Sequence, residues 1–267
     1  MKAPRYIRWF VEELDVILSD GMGIPCYRLD HTRDEATLNE WALHLRRHYE
    51  SDESLAESLV ETDQSAAEYL RDYVLPGTAN LAAACRAGDF TEILVSDLLE
   101  FIHCYKIPRC KQKNRANKDR STQGTDIVGY RYANADGTAS PKDELVAAEV
   151  KGILSSGTYE VLKNAAIDSQ ADEFRLATTL NFYRKILKAT GDFEEARKIA
   201  RFQRKSEEQF NVRYLGVGVS SIDKVENNVI LDYSSDDLML STGHEIFFIH
   251  GEKLMTLAHD LYARCMK

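Results

Sequence analysis

Two short apolar runs near the middle of the sequence carry charged residues whose types and spacing suit chemistry. Asp126 ends the motif GTD at residues 124–126, and the triplet EVK at residues 149–151 follows after 22 intervening residues. Successive side chains of a β-strand point to opposite faces, so Glu149 and Lys151 are expected to share one face. If the two runs pair as a hairpin, Asp126 lies close to Glu149.

Two carboxylates held a few ångströms apart repel each other and require a cation. Carboxylate oxygens suit Mg²⁺ or Mn²⁺, so Asp126 and Glu149 are predicted metal ligands. Such an ion can lower the pKa of a bound water and stabilise charge on a scissile phosphate. The Lys151 ammonium can orient that water or offset charge in the transition state. These three residues predict a catalytic centre for metal-dependent phosphodiester hydrolysis.

A charged pair on an exposed hairpin is the structural alternative. Acid-x-Lys triplets arise easily by chance, but this is the only one in a chain with 15 lysines, and it lies in the apolar run VAAEVKGIL. Charges in so apolar a run favour the catalytic interpretation, and the exposed pair stays as the alternative.

Hydrophobic spacing and turn residues predict the elements that position these side chains. Helices are expected over 34–49, 51–74, 158–205 and 252–266, and residues 80–106 are expected as two helical pieces broken near Gly88-Asp89. The strand-like runs are 124–133, 145–154, 214–222, 229–233 and 245–250. This order predicts an α/β fold in which helices flank a mixed sheet, with a small, mainly helical N-terminal region.

Length and composition indicate a globular protein that stays in solution. The chain has 267 residues, of which 44% are hydrophobic and 29% charged, enough for one sizeable core. It contains no run long enough to cross a bilayer and no signal-peptide pattern, so the cytoplasm is the expected compartment. The five scattered cysteines agree with reduced thiols.

The charge of the chain is unevenly distributed. A formal net charge of −9 argues against a protein that coats nucleic acid through excess lysine and arginine. The segment from Lys106 to Arg120, however, has seven basic residues and one acid. We call it the basic segment. A solvated loop is its simplest interpretation.

The motifs together resemble those of a known group of nucleases. GTD at 124–126, followed after a hairpin by AEVK at 148–151, resembles the PD-(D/E)XK superfamily, with threonine where that name has proline. With EILVSDLLEF before the basic segment and EIFFIHGEKL near the end, roughly residues 85–260 resemble the HamA family of the Hachiman antiphage defence system.

This resemblance implies a PD-(D/E)XK nuclease-like domain at 85–267, preceded by an N-terminal region, 1–84, that contacts a partner. It implies Mg²⁺-dependent (or Mn²⁺-dependent) DNA cleavage in the bacterial cytoplasm. It also implies a HamB-like superfamily 2 helicase that restrains the nuclease until infection. Glu92 is expected to complete the catalytic residues, because such sites often use an acid on the preceding helix and Glu92 opens that helix.

The basic segment leads directly into Asp126, so Lys113, Arg115, Lys118 and Arg120 are predicted to contact DNA phosphates without reading sequence. Double-strand cleavage would be easier with two chains, which suggests a homodimer in the active form. Two alternatives stay open. One is a noncatalytic partner-binding module on a degenerate nuclease fold, and the other is an RNase, because phosphate chemistry alone does not distinguish the sugars.

Overall fold

A mixed sheet of six strands forms the centre of the protein. The computed structural model describes residues 2–204, 209–225 and 233–267, so the strand expected at 229–233 falls almost wholly outside the described residues. The strands are β1 (Phe10–Glu12), β2 (Val16–Ile17), β3 (Gly23–Ile24), β4 (Cys26–Leu29), β5 (Ile127–Arg131), β6 (Glu144–Ile153), β7 (Asn211–Ser220) and β8 (His244–His250). The six-stranded sheet has the order β1-β4-β8-β7-β6-β5, and β2 and β3 pair separately.

The strands of the sheet are parallel in the middle and antiparallel at both edges. β4, β8, β7 and β6 run parallel to one another, whereas β1 pairs antiparallel with β4 and β5 antiparallel with β6. The β5–β6 pair is the hairpin that the sequence predicts. The predicted α/β class, with helices flanking a mixed sheet, is confirmed.

Helices cover both faces of this sheet. In the described ranges they are α1 (Glu35–Arg47), α2 (Asp52–Thr62), α3 (Ala66–Tyr69), α4 (Asn80–Phe101), α5 (Glu160–Ser169), α6 (Asp172–Ala189), α7 (Phe193–Arg201) and α8 (Leu254–Cys265). None of the helices in those ranges is both long and apolar enough to cross a membrane. The helix expected at 51–74 is divided, because Asp63 adopts a left-handed conformation and Ser65 starts a new helix with a capping box.

Alternate side chains of β6 pack into two different parts of the core, one on each face of the sheet. Val146, Ala148 and Val150 pack with residues of α4 and α8, whereas Leu145 and Ala147 pack with residues of α6 and α7. This alternation is the period of two that a strand buried on both faces requires. It also determines the direction in which Glu149 and Lys151 point.

α4 is a single helix, and the break predicted near Gly88-Asp89 is wrong. Asp89 is fully buried, accepts a hydrogen bond of 2.6 Å from the Tyr49 hydroxyl and forms an ion pair with Arg115. A glycine inside a helix costs only about 1 kcal/mol relative to alanine. Packing and the buried ion pair outweigh that cost.

The N-terminal residues belong to the same sheet as the rest of the chain. β1 and β4 come from the first 30 residues, and β4 pairs with β8 near the C-terminus. The boundary predicted between residues 84 and 85 lies within α4, which continues through it.

Candidate active site

The β5–β6 hairpin brings Asp126 and Glu149 to one end of the sheet. Ile127 pairs with Ala148, so Asp126, one residue earlier, lies beside Glu149. The backbone N–H of Val150 donates a hydrogen bond of 3.0 Å to Oδ2 of Asp126. The two acids that the sequence predicts as metal ligands are therefore neighbours, and the backbone of β6 fixes one of them.

Gly124 shapes the turn that leads into Asp126. Its φ is +118°, a conformation that L side chains rarely adopt, and a Cβ there would lie 2.8 Å from Oγ1 of Thr179. The next residue, Thr125, donates its backbone N–H to the same oxygen at 3.1 Å. The GTD motif thus fixes the turn against α6 as well as supplying an acid.

Lys151 lies beside Glu149 on β6, as strand alternation predicts. Its Nζ is 3.0 Å from Oε1 of Glu149 and 2.6 Å from Oδ2 of Asp168 on α5. Burial lowers the pKa of Lys151, but these two carboxylates together outweigh burial and raise it. Arg175 on α6 contacts Oε2 of Glu149 at 3.2 Å. The lysine is therefore cationic at neutral pH.

Glu92 lies in the interior of α4. The prediction that it opens a helix is therefore wrong. Glu92 is buried and connects to Asp126 through Lys111, a residue that the sequence analysis did not select. Lys111 Nζ lies 3.1 Å from Oε1 of Glu92 and 2.6 Å from Oδ1 of Asp126. Gln112 donates a hydrogen bond of 3.2 Å to the other Glu92 oxygen.

Asp172, in the first turn of α6, is a further acid that the sequence did not reveal. It is fully buried, and among the described residues neither of its carboxylate oxygens has a hydrogen-bond partner. Burial raises its pKa to about 6, the nearby Thr125 hydroxyl opposes this although the contact falls short of hydrogen-bond geometry, and the charge of Asp126 adds to it. An acid in the first turn of a helix is ordinary in sequence, because it favours the helix dipole, so nothing marks this one as special.

Burial and the charge of Asp126 disfavour the charged forms of Glu149 and Glu92. Burial raises the pKa of Glu149 to about 7, and the charge of Asp126 adds to the effect against the opposing Lys151. Burial likewise raises the pKa of Glu92 to about 8, reinforced by Asp126 and opposed by Lys111. A cation placed beside these acids would favour their charged forms and lower both pKa values.

The donor type at the site suits a hard divalent ion. Glu92, Asp126, Glu149 and Asp172 offer carboxylate oxygens, the ligands that Mg²⁺ and Mn²⁺ prefer. Buried carboxylates are normally paired or coordinate a metal, and among the described residues the oxygens of Asp172 accept no hydrogen bond of normal geometry.

The four basic residues predicted to contact DNA differ in their surroundings. Arg115 is almost fully buried and forms an ion pair with Asp89. Lys118 donates a hydrogen bond of 3.1 Å to the backbone carbonyl of Leu75. The side chains of Lys113 and Arg120 are exposed. Of the four, only Lys113 and Arg120 offer an exposed charge. Arg115 and Lys118 instead attach the basic segment to Asp89 and to the backbone of Leu75.

In EDTA, the protein is expected to lose stability as the pH rises from about 6 to 8.5. Glu92 and Glu149 have pKa values of about 8 and 7, against an ordinary value of 4.5. Between the ordinary pKa of 4.5 and these raised values, the folded chain binds more protons than the unfolded chain. Stability therefore falls as the pH rises through the folded pKa values. Thermal unfolding at pH 6.5 and 8.5 measures this, and Glu149→Gln should show a smaller fall than wild type. Equal falls in both proteins would contradict the prediction.

Comparison with known proteins gives the family of the chain. None of the curated proteins matches the sequence. The model of the HamA family matches residues 4–265 of the 267, and this span includes every residue of the site described above. The chain therefore belongs to the HamA family, which is associated with Hachiman antiviral defence.

Proposed function

We propose that this chain is a Mg²⁺-dependent (or Mn²⁺-dependent) DNA endonuclease, the effector of a Hachiman defence complex in the bacterial cytoplasm. In this proposal a HamB-like superfamily 2 helicase is its partner. One observation carries the proposal. Asp126, Glu149 and Lys151 converge at one end of the sheet, and two further buried acids, Glu92 and Asp172, join them.

Four acids of the site would bind the metal ion, and Lys151 is a separate cation beside them. Glu92, Asp126, Glu149 and Asp172 would hold Mg²⁺, which when bound would lower the pKa of a water and offset charge on the scissile phosphate. Lys151 is cationic and shares the face of Glu149, so it can offset charge that develops on the phosphate. Hydrolysis adds one water across a P–O bond: the water oxygen bonds to phosphorus, the bond to one sugar oxygen breaks, and that oxygen takes up a proton.

The charge distribution supports a nuclease that depends on a partner for its substrate. With a net charge of −9, the free chain has weak attraction for DNA at a distance. The basic segment that precedes Asp126 in the chain offers the exposed side chains of Lys113 and Arg120, and Arg175, which contacts Glu149, is partly accessible to solvent. These residues can hold the backbone of DNA that a helicase delivers, without reading its sequence.

The direct test incubates the purified chain with supercoiled plasmid, single-stranded DNA and RNA in Mg²⁺, alone and with the helicase partner. EDTA provides the metal control. DNA cleavage that requires Mg²⁺ supports the proposal. Cleavage of RNA alone would favour the RNase alternative. Intact substrates in every condition, with folded protein and partner present, would favour the noncatalytic module.

Asp172→Asn is expected to weaken Mn²⁺ binding by about 10–100-fold, the range seen when groups that support a metal site are lost. An amide has no charge to offer the ion, although it fills the same space. The same change should stabilise the metal-free protein, since it removes a side chain whose charged form burial disfavours. Isothermal titration calorimetry measures the affinity, with the exposed Asp136→Asn as the matched control. Affinity equal to that of the control would show that Asp172 has no part in the site.

A further inference from the structure

Lys111 is a buried cation between two acids of the proposed metal site. Its side chain is 5% exposed, and its ammonium contacts Oε1 of Glu92 at 3.1 Å and Oδ1 of Asp126 at 2.6 Å. One ammonium thus bridges two carboxyl groups of the proposed site.

We propose that Lys111 is an internal cation that occupies the position of the divalent ion in the metal-free protein and must leave when the ion binds. The proposal rests on the proposed function, because it concerns the same site. It assigns to Lys111 the role of a competitor of the metal, separate from the role of Lys151.

Geometry makes the two cations exclusive. Mg²⁺ binds oxygen ligands at about 2.0–2.1 Å and Mn²⁺ favours similar ligands. An ion held by both Glu92 and Asp126 would therefore occupy the space between them that the ammonium now fills. An ammonium left there would also repel the ion across a site of low dielectric. Either the lysine leaves or the ion does not use both acids.

The surrounding chain restricts this movement to the Lys111 side chain and its nearest neighbours. Arg109, two residues earlier, forms ion pairs with Asp97 and Glu100 on α4. Arg115, four residues later, pairs with the buried Asp89 on the same helix. The basic segment is thus fixed to α4 on both sides of Lys111. The flexible four-carbon stem of lysine permits its ammonium to swing away while these anchors hold.

In this arrangement Lys111 restrains the binding of the metal ion. One ammonium satisfies two carboxylates and keeps the metal-free site closed, so the ion must displace a bound charge before it can enter. A phosphate of an approaching substrate would be a favourable new partner for the released ammonium. Metal and substrate would then favour the same open arrangement of Lys111.

Calorimetric titration of Mn²⁺ into metal-free protein tests the competition. Lys111→Met should bind Mn²⁺ at least about tenfold more tightly than wild type, which corresponds to about 1.4 kcal/mol. Lys106→Met, which removes an exposed charge from the same segment, should bind like wild type. Affinity unchanged or weaker in Lys111→Met would overturn the proposal. Glu149→Gln separates the two hypotheses, because equal affinity in that variant and wild type would mean that the proposed metal site itself is wrong.

Wild-type protein provides a second measurement if Lys111→Met does not fold. Amine acetylation followed by peptide mass spectrometry reports the reactivity of each lysine. Lys111 should react slowly in EDTA, because it is buried and paired, and several-fold faster in saturating Mg²⁺. Lys106 should react equally in both conditions. Equal protection of Lys111 with and without Mg²⁺ would show that it stays in place.

Discussion

Glu149→Gln is expected to reduce DNA cleavage by at least about 10³-fold while leaving the metal-free fold intact. The amide keeps the size of the side chain but removes the charge that would hold the ion. The metal-free protein should be as stable as wild type or more so, because burial already raises the pKa of Glu149 to about 7. Loss of activity without loss of stability is the result that a catalytic role requires. Plasmid cleavage and thermal unfolding of the same preparation measure both.

Lys151→Met is expected to lower cleavage by about 10²–10³-fold without weakening Mn²⁺ binding, because the lysine acts on charge in the transition state and does not hold the ion. This difference from Glu149→Gln separates the two roles.

Matched controls for both variants lie in the loop between β5 and β6. Asp136→Asn and Lys142→Met change the same charges at exposed positions. Both should cleave like wild type. Cleavage that survives in Glu149→Gln would place the catalytic centre elsewhere.

The sequence predicts those parts of the site that one hairpin determines. Alternation along a strand is sufficient to place Glu149 and Lys151 on one face, and pairing of two neighbouring runs places Asp126 beside them. These relations are local, because the hairpin brings together residues that follow one another closely along the chain. The class of the fold is predictable for the same reason, since helical and strand periodicities are local patterns.

Lys111 and Asp172 were missed because their roles depend on distant partners. Lys111 looks like any other residue of a basic segment until α4 places Glu92 across from it. Asp172 looks like an ordinary acid at the start of a helix until α6 is packed against the GTD turn. No spacing along the chain encodes either contact.

The position of Arg115 and the continuity of α4 have a single physical explanation. A basic segment and a Gly-Asp pair suggest, separately, a solvated loop and a helix break. In the folded chain Asp89 and Arg115 neutralise each other, and both are buried. Breaking such a pair leaves an uncompensated charge in the interior, which costs more than a helical glycine. A pair formed between distant residues thus overrides two local patterns.

Arg109→Met is expected to destabilise the protein by about 3–5 kcal/mol, the cost of leaving a buried charge without its partner. Asp97 is fully buried, and its carboxylate contacts Tyr6 and His44 as well as Arg109. Burial raises the pKa of Asp97, but Arg109 and His44 together outweigh burial and lower it. Urea unfolding at neutral pH measures the loss, with the exposed Arg120→Met as the control.

A double variant distinguishes an unpaired charge from simple loss of packing. Asp97→Asn combined with Arg109→Met removes both charges, so it should be more stable than Arg109→Met alone. Because the pKa of Asp97 is lowered in the folded state, the contribution of the pair should be complete at neutral pH, should begin to fall below the ordinary pKa of 3.8, and should be lost only below the lowered pKa. The difference between wild type and Arg109→Met should therefore shrink in acid, and a difference independent of pH would instead assign the loss to packing. Arg109 also has a φ of +50°, a strained conformation for a side chain with a Cβ, so its ion pairs with α4 stabilise the backbone two residues before Lys111.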